Sequence, residues 1–388
     1  MKKSLNLYLC LMIMTLVLFT ACSNSSSSET SQSIETTAAG AAETSIQTTT
    51  ASGQESVAGT TSTEETVLFV DSAGREVEIP KQIDRIAPSG SLAQIVLFSI
   101  SPDKLVGLSG KWSDNSSDYL DSKYLELPVF GQFYGSEDLN MESLAAADPQ
   151  VIIDIGEAKD SIVEDMDSIQ NQLEIPTIFI EASLETMDEC YTTLGNILGM
   201  EEAAKILASY CSETYQTTVD TMAEIGDENK KSLIYCVGDT GSNVIAKDSF
   251  HAEVLDLLAN NVAVVESPSS KGTGNEISME QIYLWDPDYI LFAPNSVYSL
   301  VGTDKTWLEL EAISSGQYYE VPDGPYNWMG FPPSINRFMG MKWLANLLYP
   351  EYFNYDMLTE TQNFYKLFYH CDLTDDQYNT LIVHSISK

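Results

Sequence analysis

One block of this sequence occurs twice. Asn140-Met141-Glu142-Ser143-Leu144 runs on to Asp148-Pro149-Gln150-Val151-Ile152-Ile153, and Ser278-Met279-Glu280-Gln281-Ile282 runs on to Asp286-Pro287-Asp288-Tyr289-Ile290-Leu291. Each copy reads as an N-cap residue, Met-Glu, a short helix, an Asp-Pro turn and an apolar strand. A unit of this kind cannot bury its apolar face alone, so two copies call for two similar α/β lobes. Between the copies lies Glu201–Ile225, with no Gly or Pro inside it and with Gly199 and Gly226 flanking it. Ala203, Leu207, Tyr210, Thr214, Met222 and Ile225 recur at roughly helical spacing. The stretch predicts one helix about 37 Å long at 1.5 Å per residue, despite threonines that lower helix propensity in its middle. Its position makes it the connector of the lobes.

Apolar runs alternate with helical patterns on both sides of that connector. Strands are expected at Thr66–Val70, Val77–Ile79, Leu105–Leu108, Leu127–Gly131, Val151–Ile155 and Pro176–Ile180, with helices at Met141–Ala147 and Ile162–Leu173. The second half offers strands at Lys231–Val237, Val262–Val265, Tyr289–Phe292 and Tyr318–Val321, and a helix at Phe250–Ala259. This alternation implies mostly parallel sheets. The expected fold is two Rossmann-like α/β lobes joined by a single long helix: an N-terminal lobe over 66–182, a linking helical segment over 183–226 and a C-terminal lobe over 227–388.

The first 65 residues read differently. Lys2 and Lys3 precede an apolar run from Leu5 to Phe19 and then Thr20-Ala21-Cys22, the pattern of a secretory signal peptide over 1–21. Leu18-Phe19-Thr20-Ala21-Cys22 resembles a degenerate bacterial lipobox, which implies cleavage before Cys22 and lipidation, palmitate included, of the chain at that cysteine. Residues 22–65 are rich in Ser, Thr, Ala and Glu and cannot bury enough surface to fold; they read as a disordered tether. An anchor, a tether and a globular body together look like a Gram-positive lipoprotein held on the extracellular face of the cell membrane. Cys190, Cys211, Cys236 and Cys371 show no CxxC pair and no metal-ligand spacing; two disulfides and buried free thiols both remain open.

Charge excludes some partners. Lys+Arg total 19 against 57 Asp+Glu, for a formal net charge of −38, and the chain holds three arginines, Arg75, Arg85 and Arg337. Nucleic-acid binding needs clustered basic groups that this chain lacks.

Several loops carry candidate ligand contacts. Arg85-Ile86-Ala87 leads through Pro88-Ser89-Gly90-Ser91 into a helix, so Ser89 and Ser91 stand at a helix N-terminus suited to a polar ligand, although a serine there also serves as a plain cap. Gly324 to Arg337 holds Tyr326, Trp328 and Phe331 among three prolines. Trp328 and Phe331 are candidates to stack on a planar ligand, and Arg337 to pair with an oxyanion. The alternative for this loop is burial on its own lobe with Arg337 in a salt bridge. Trp112 and Tyr134 are candidate opposing walls. His251 is one of three histidines; a lone histidine is more often structural than a ligand. Glu142 and Glu280 fall in the first turns of equivalent helices, where the helix dipole alone favours a carboxylate.

At this point the chain resembles a known family. Asp71-x-x-Gly74-Arg75-x-Val77-x-Ile79-Pro80 with Arg85-Ile86, Leu105-Val106-Gly107, the two Met-Glu…Asp-Pro blocks, and Trp343-Leu344-Ala345 with Leu348-Tyr349-Pro350 resemble the substrate-binding proteins of ABC importers for ferric siderophores, haem and cobalamin. The resemblance covers about residues 66–355. It implies a monomer that captures an iron-siderophore or similar metal chelate in a shallow cleft between its lobes. It also implies that Glu142 and Glu280 dock on arginines of a membrane permease, a role that fits electrostatic steering. No catalytic role and no resident cofactor follow. Cobalamin, haem and oxyanions such as molybdate lie within the same family. An extracellular hydrolase is the rival class, and GxSxG, HExxH and Walker A motifs are absent from the sequence.

Overall fold

The computed structural model describes residues 65–133 and 139–386. The chain separates into a unit spanning Met1–Thr61 and a second spanning Ser62–Lys388; the described residues belong to the second. The expected signal peptide over 1–21, Cys22 and all of the expected tether but its last residue, Glu65, lie outside the described residues, as does Tyr134.

A hairpin of β1 (Thr66–Val70) and β2 (Glu76–Pro80) opens the body. The sequence Asp71-x-x-Gly74-Arg75 shapes its turn. Asp71 Oδ1 accepts the amides of Ala73 and Arg75, while Oδ2 accepts Arg75 Nη1 at 2.9 Å and the amide of Phe179. Gly74 takes φ +76, the left-handed region that glycine enters without a Cβ penalty. The buried Asp71 carboxylate therefore pins the hairpin to the first sheet.

That sheet is parallel, with the order β3 (Ile86–Pro88), β4 (Val151–Gly156), β5 (Thr177–Glu181). Every residue of β4 is buried, as expected of a central parallel strand that is apolar but for Asp154. Helices α1 (Ser91–Ile100), α2 (Ser122–Leu125) and α3 (Met141–Ala146) lie between β3 and β4, and α4 (Ile162–Leu173) lies between β4 and β5. The strands expected at 105–108 and 127–131 are reduced to single bridges, Ile86 to Leu105 and Leu108 to Val129. Pro128 has no N–H to extend a ladder, and a Cβ on Gly107 would sit 2.1 Å from the Phe130 ring, so the two segments meet in parallel at one close bridge instead of pairing along their length.

After α5 (Met187–Leu198) comes α6, Glu201–Ile225, 25 residues long. Gly199 ends α5 in the left-handed conformation at φ +65, as a C-terminal glycine does. The buried stripe of α6 is Ala204, Leu207, Ala208, Cys211, Thr214, Thr218, Met222 and Ile225; Ala203 and Tyr210, expected on that face, stand at its edge. Small side chains dominate the middle of the stripe, and Thr218 Oγ1 satisfies itself on Thr214 O at 2.8 Å. The threonines thus let neighbouring helices approach closely without leaving a hydroxyl unpaired. Helix α6 packs on α5 and on α1 of the first lobe.

The second lobe is built on β6 (Ser232–Val237), β7 (Asn243–Val244), β8 (Asn260–Asn261), β9 (Asn275–Glu276), β10 (Tyr289–Phe292) and β11 (Tyr318–Glu320). Their order is β11-β10-β6-β7-β9, with β8 also paired to β6. Strands β8, β10 and β11 run parallel to their neighbours, while β7 and β9 pair antiparallel. The strand expected at 262–265 is displaced to β8. Val262 N–H still reaches Leu233 O, but Val264 N–H turns back on Val262 O. Helices α7 (Glu253–Leu258), α8 (Met279–Trp285), α9 (Tyr298–Val301), α10 (Glu311–Ser314) and α11 (Asn336–Leu348) surround this sheet. Helix α6 also packs on α7 and α11, so it touches both lobes along its length.

The repeat is structural as well as sequential. Asn140 and Ser278 cap α3 and α8 by accepting the amides of Ser143 and Gln281. Asp148 and Asp286, each before a proline, both take positive φ, +49 and +41. A residue preceding proline avoids the right-handed helical region, and aspartate tolerates the left-handed one; β4 and β10 then start three residues after the aspartate.

Beyond residue 355 the chain adds α12 (Met357–Phe368) and α13 (Asp375–Leu381). Helix α12 packs on α11 and also on α1 of the first lobe. Gln377 Nε2 on α13 donates to Asp118 O at 2.6 Å. A helix assigned by sequence order to the second lobe is therefore a second brace between the two. Aromatic pairs cement it: Tyr119 with Tyr365 at 5.4 Å and Trp112 with Tyr326 at 5.9 Å between ring centroids. All four cysteines in the described body are free. Cys190, Cys211 and Cys236 are buried, and burial pushes each of those thiols up from its ordinary pKa.

Candidate ligand cleft

Because β3, β4 and β5 are parallel, their C-terminal ends share one edge of the first sheet. Ligands of α/β sheets bind at such edges. Three loops emerge there: Ser89–Ser91, Gly156–Glu157 and Ala182–Glu185. The chain crosses from β3 to α1 at Gly90, which is the N-cap of a helix with no side-chain cap. Neither serine caps α1. Ser91 Oγ donates to Gln132 Oε1 at 3.2 Å. Ser89 is buried, and its Oγ donates to Asp154 Oδ1. Burial pushes the Asp154 carboxyl up, and the Ser89 hydroxyl partly offsets it. Ser89 is thus already committed to a buried acid that sequence reading passed over, hidden inside an apolar strand.

Between the loops at Gly156–Glu157 and Ala182–Glu185 and the second lobe lies a cavity of about 360 Å³, which Ser89 and Ser91 do not line. Ser183 and Leu184 form one side, Tyr215 of α6 one end, and Asp248 to Leu257 the opposite side. Five carboxylates line it: Glu157, Glu185, Asp248, Glu253 and Asp256. Glu253 spans the gap. Its Oε1 accepts Leu184 N–H, from the loop that follows β5, at 3.4 Å, and its Oε2 accepts Arg337 Nη1. Burial raises the Asp256 carboxyl, which accepts the amide of Asp248 and the side chain of Asn261.

Arg337 does not face this cavity as a free cation. Its side chain is 0% exposed and bound to Glu253 and to Phe250 O, with the guanidinium 4.8 Å over the Phe250 ring. The reason is helix register: Arg337 is the second residue of α11, a helix buried on most sides. Its Nε and Nη2 are buried with no hydrogen-bond partner.

The Pro-rich loop also turns inward. Trp328 is 0% exposed, with its indole N–H directed at Tyr365 Oη at 3.4 Å, so it offers no face to a ligand. Trp112 is likewise buried, edge-on to Phe98 at 5.0 Å, with its indole N–H on Tyr124 O. Both tryptophans serve the junction of the lobes, where a large aromatic surface is most profitably covered. Phe331 behaves differently: it is 57% exposed. Asn327 holds it there, because its Oδ1 accepts the amides of Met329, Gly330 and Phe331 at 3.1, 3.1 and 3.2 Å. His251 Nδ1 lies 2.7 Å from Gly330 O, and burial lowers its pKa. Gly272 packs on both; a Cβ there would lie 2.3 Å from the Phe331 ring and 3.1 Å from the His251 ring. Asn327 and Gly272 escaped the sequence reading; an Asn amid bulky loop residues was the available signal for the first.

Residues 87–325 match the family described as periplasmic binding proteins, which is well over half of the chain. The chain belongs to the periplasmic binding protein family. Among solved structures, an ABC transporter solute binding protein from Sulfurospirillum deleyianum is 28% identical, with a TM-score of 0.76 over 81% of this chain and 99% of that one. A periplasmic solute binding protein from Veillonella parvula is 25% identical, with a TM-score of 0.67 over 83% and 98%. The molybdate-binding protein MolA of Haemophilus influenzae shares the fold at 17% identity and a TM-score of 0.62 over 79% and 99%. No curated protein matches the chain. This periplasmic binding protein is an extracytoplasmic component of an ABC transporter, with a permease partner and a small-molecule ligand; the family and these relatives bind solutes and are not enzymes. No described helix is long and apolar enough to cross a membrane.

Proposed function

We propose that the protein captures a neutral or cationic metal chelate, such as a ferric hydroxamate siderophore, in the cleft between its lobes and hands it to the permease. One observation carries this reading. All three arginines of the chain are held by carboxylates, Arg75 by Asp71 and Asp167, Arg85 by Asp148 and Arg337 by Glu253, while five carboxylates line the interlobe cavity. A polyanionic catecholate complex would meet repulsion there; an uncharged or positive chelate would not. Ser91 and the exposed ring of Phe331 do not line that cavity and are proposed as additional contacts of the bound chelate. Haem and cobalamin, large planar ligands, are served less well because, of the candidate stacking residues, only Phe331 is exposed.

Docking is assigned to Glu142 and Glu280, both exposed on equivalent helices. Hydrogen bonds from its own amide and from Ser278 keep the Glu280 carboxyl below its ordinary pKa, so it stays ionised. Upstream, residues 1–21 are proposed as a signal peptide, Cys22 as the lipidated anchor on the outer face of a Gram-positive membrane, and 22–65 as the tether of a monomer whose lobes span 66–182 and 227–388.

A second reading, a molybdate-type oxyanion, draws on the two unpartnered buried donors of Arg337. Thermal-shift titration separates the readings: a bound chelate raises the melting temperature with concentration. Stabilisation by ferric hydroxamates but not by catecholates or molybdate is expected. Stabilisation by molybdate alone would overturn the chelate assignment in favour of the second reading.

A further inference from the structure

The solvent face of α8 carries a feature that its counterpart in the first lobe lacks. Ile282 is fully buried. Residues two positions before and after it on a helix project about 160° away from it, on the opposite face. Those residues are Glu280 and Leu284, an i,i+4 pair that shares one face. Leu284 is 78% exposed, more than any other large hydrophobic residue among those described. In α3 the same geometry places Leu144 inward and Glu142 and Ala146 outward, both exposed. The repeat thus matches the charge and differs in the apolar group beside it.

A neighbouring segment is tied to α8. Tyr283 Oη donates to Thr306 O at 2.8 Å, which joins α8 to the segment 298–309. In that segment Asp304 N–H bonds Leu300 O and Leu308 N–H bonds Asp304 O, stacking positions 300, 304 and 308. Leu300 and Leu308 are 60% and 38% exposed. An isolated exposed leucine needs no explanation, but Leu284 stands one helical turn from Glu280 on the same face, where a partner held by that charge would cover it.

We infer that Leu284 is an apolar anchor for the permease, seated in a hydrophobic pocket beside the basic residue that receives Glu280. The inference rests on the docking reading of the glutamates. The occupant follows from continuity and charge: Leu284 shares its helix face with Glu280, one turn away, and a chain with a net charge of −38 is complemented by a basic partner carrying an apolar socket. The division of labour is physical. Exposed charges raise the rate of encounter, whereas a buried leucine slows dissociation. Only one lobe carries the leucine, so the two ends of the docked protein are held unequally.

The test uses the full chain and its ABC permease in lipid nanodiscs, with association and dissociation followed by biolayer interferometry. Leu284→Ser is compared with Glu142→Lys/Glu280→Lys. Leu284→Ser is expected to bind about tenfold or more weakly, chiefly through faster dissociation, with an unchanged melting temperature. The double charge reversal is expected to lose binding. If the charge reversal abolishes binding and Leu284→Ser binds as the parent does, the anchor is refuted and glutamate docking stands. If the charge reversal itself leaves binding intact, the docking reading falls, and the anchor falls with it.

Discussion

Removing the Glu253 carboxylate should unfold this protein more readily, and the amount follows from the burial of its partner. Arg337 is 0% exposed and Glu253 27%. Of the guanidinium nitrogens, Nη1 alone has partners, Glu253 and Phe250 O, while Nε and Nη2 have none. Breaking a buried pair by deleting one member costs about 3–5 kcal/mol, because the other charge stays behind uncompensated. The low end, about 3 kcal/mol, applies to Glu253→Ala. The vacated space opens on the cavity between the lobes, from which water can reach the guanidinium. With an unfolding entropy of about 2.1 cal/mol/K per residue for a body of this size, that loss lowers the melting temperature by roughly 4–5 °C. Arg337→Met removes the charge and keeps most of the volume, so Glu253→Ala/Arg337→Met should regain most of the lost stability. Urea unfolding of the three variants measures the coupling. A Glu253→Ala loss below about 1 kcal/mol, or a double variant no better than Glu253→Ala, would refute the claim that this pair is a structural element of the cleft wall.

Three further outcomes are expected. Burial, with the charge of Glu320, pushes Asp323 from 3.8 to about 6; the folded state therefore disfavours the carboxylate, and the cost is absent below pH 3.8, grows through pH 6 and persists above it. Asp323→Asn should be more stable than the parent by up to about 3 kcal/mol at pH 7.5 and indistinguishable at pH 3.5, as read from unfolding midpoints across pH. Gly272→Ala should displace the Phe331 ring, since its Cβ would lie 2.3 Å away, and weaken ligand binding with little change in melting temperature, because the ring is 57% exposed and free to yield. Trp328→Ala should cost about 3–5 kcal/mol as a cavity in the interlobe core, and a loss smaller than 1 kcal/mol in denaturant titration would contradict its packing role.

The sequence by itself determined the architecture. A repeated helix–turn–strand block and an unbroken 25-residue helix are local patterns, set by caps, by a proline that forces its neighbour's backbone, and by 3.6-residue and 2-residue periodicity; these survive translation into structure because they depend on near neighbours. It also placed Glu142 and Glu280 on equivalent first turns. Tertiary structure alone decided which loop residues face the cleft. Trp112, Trp328 and Arg337 have the composition of a binding rim, yet burial of large aromatic surface against α1, α11 and α12 and the pairing of a buried cation with Glu253 draw them inside. Phe331, three residues from Trp328 in the same loop, stays outside because Asn327 gathers the intervening amides. Contacts between residues far apart in the chain made those choices, and so did the placement of α12 across both lobes. No window of sequence contains them, since they arise only when the second lobe and the C-terminal helices pack on the first.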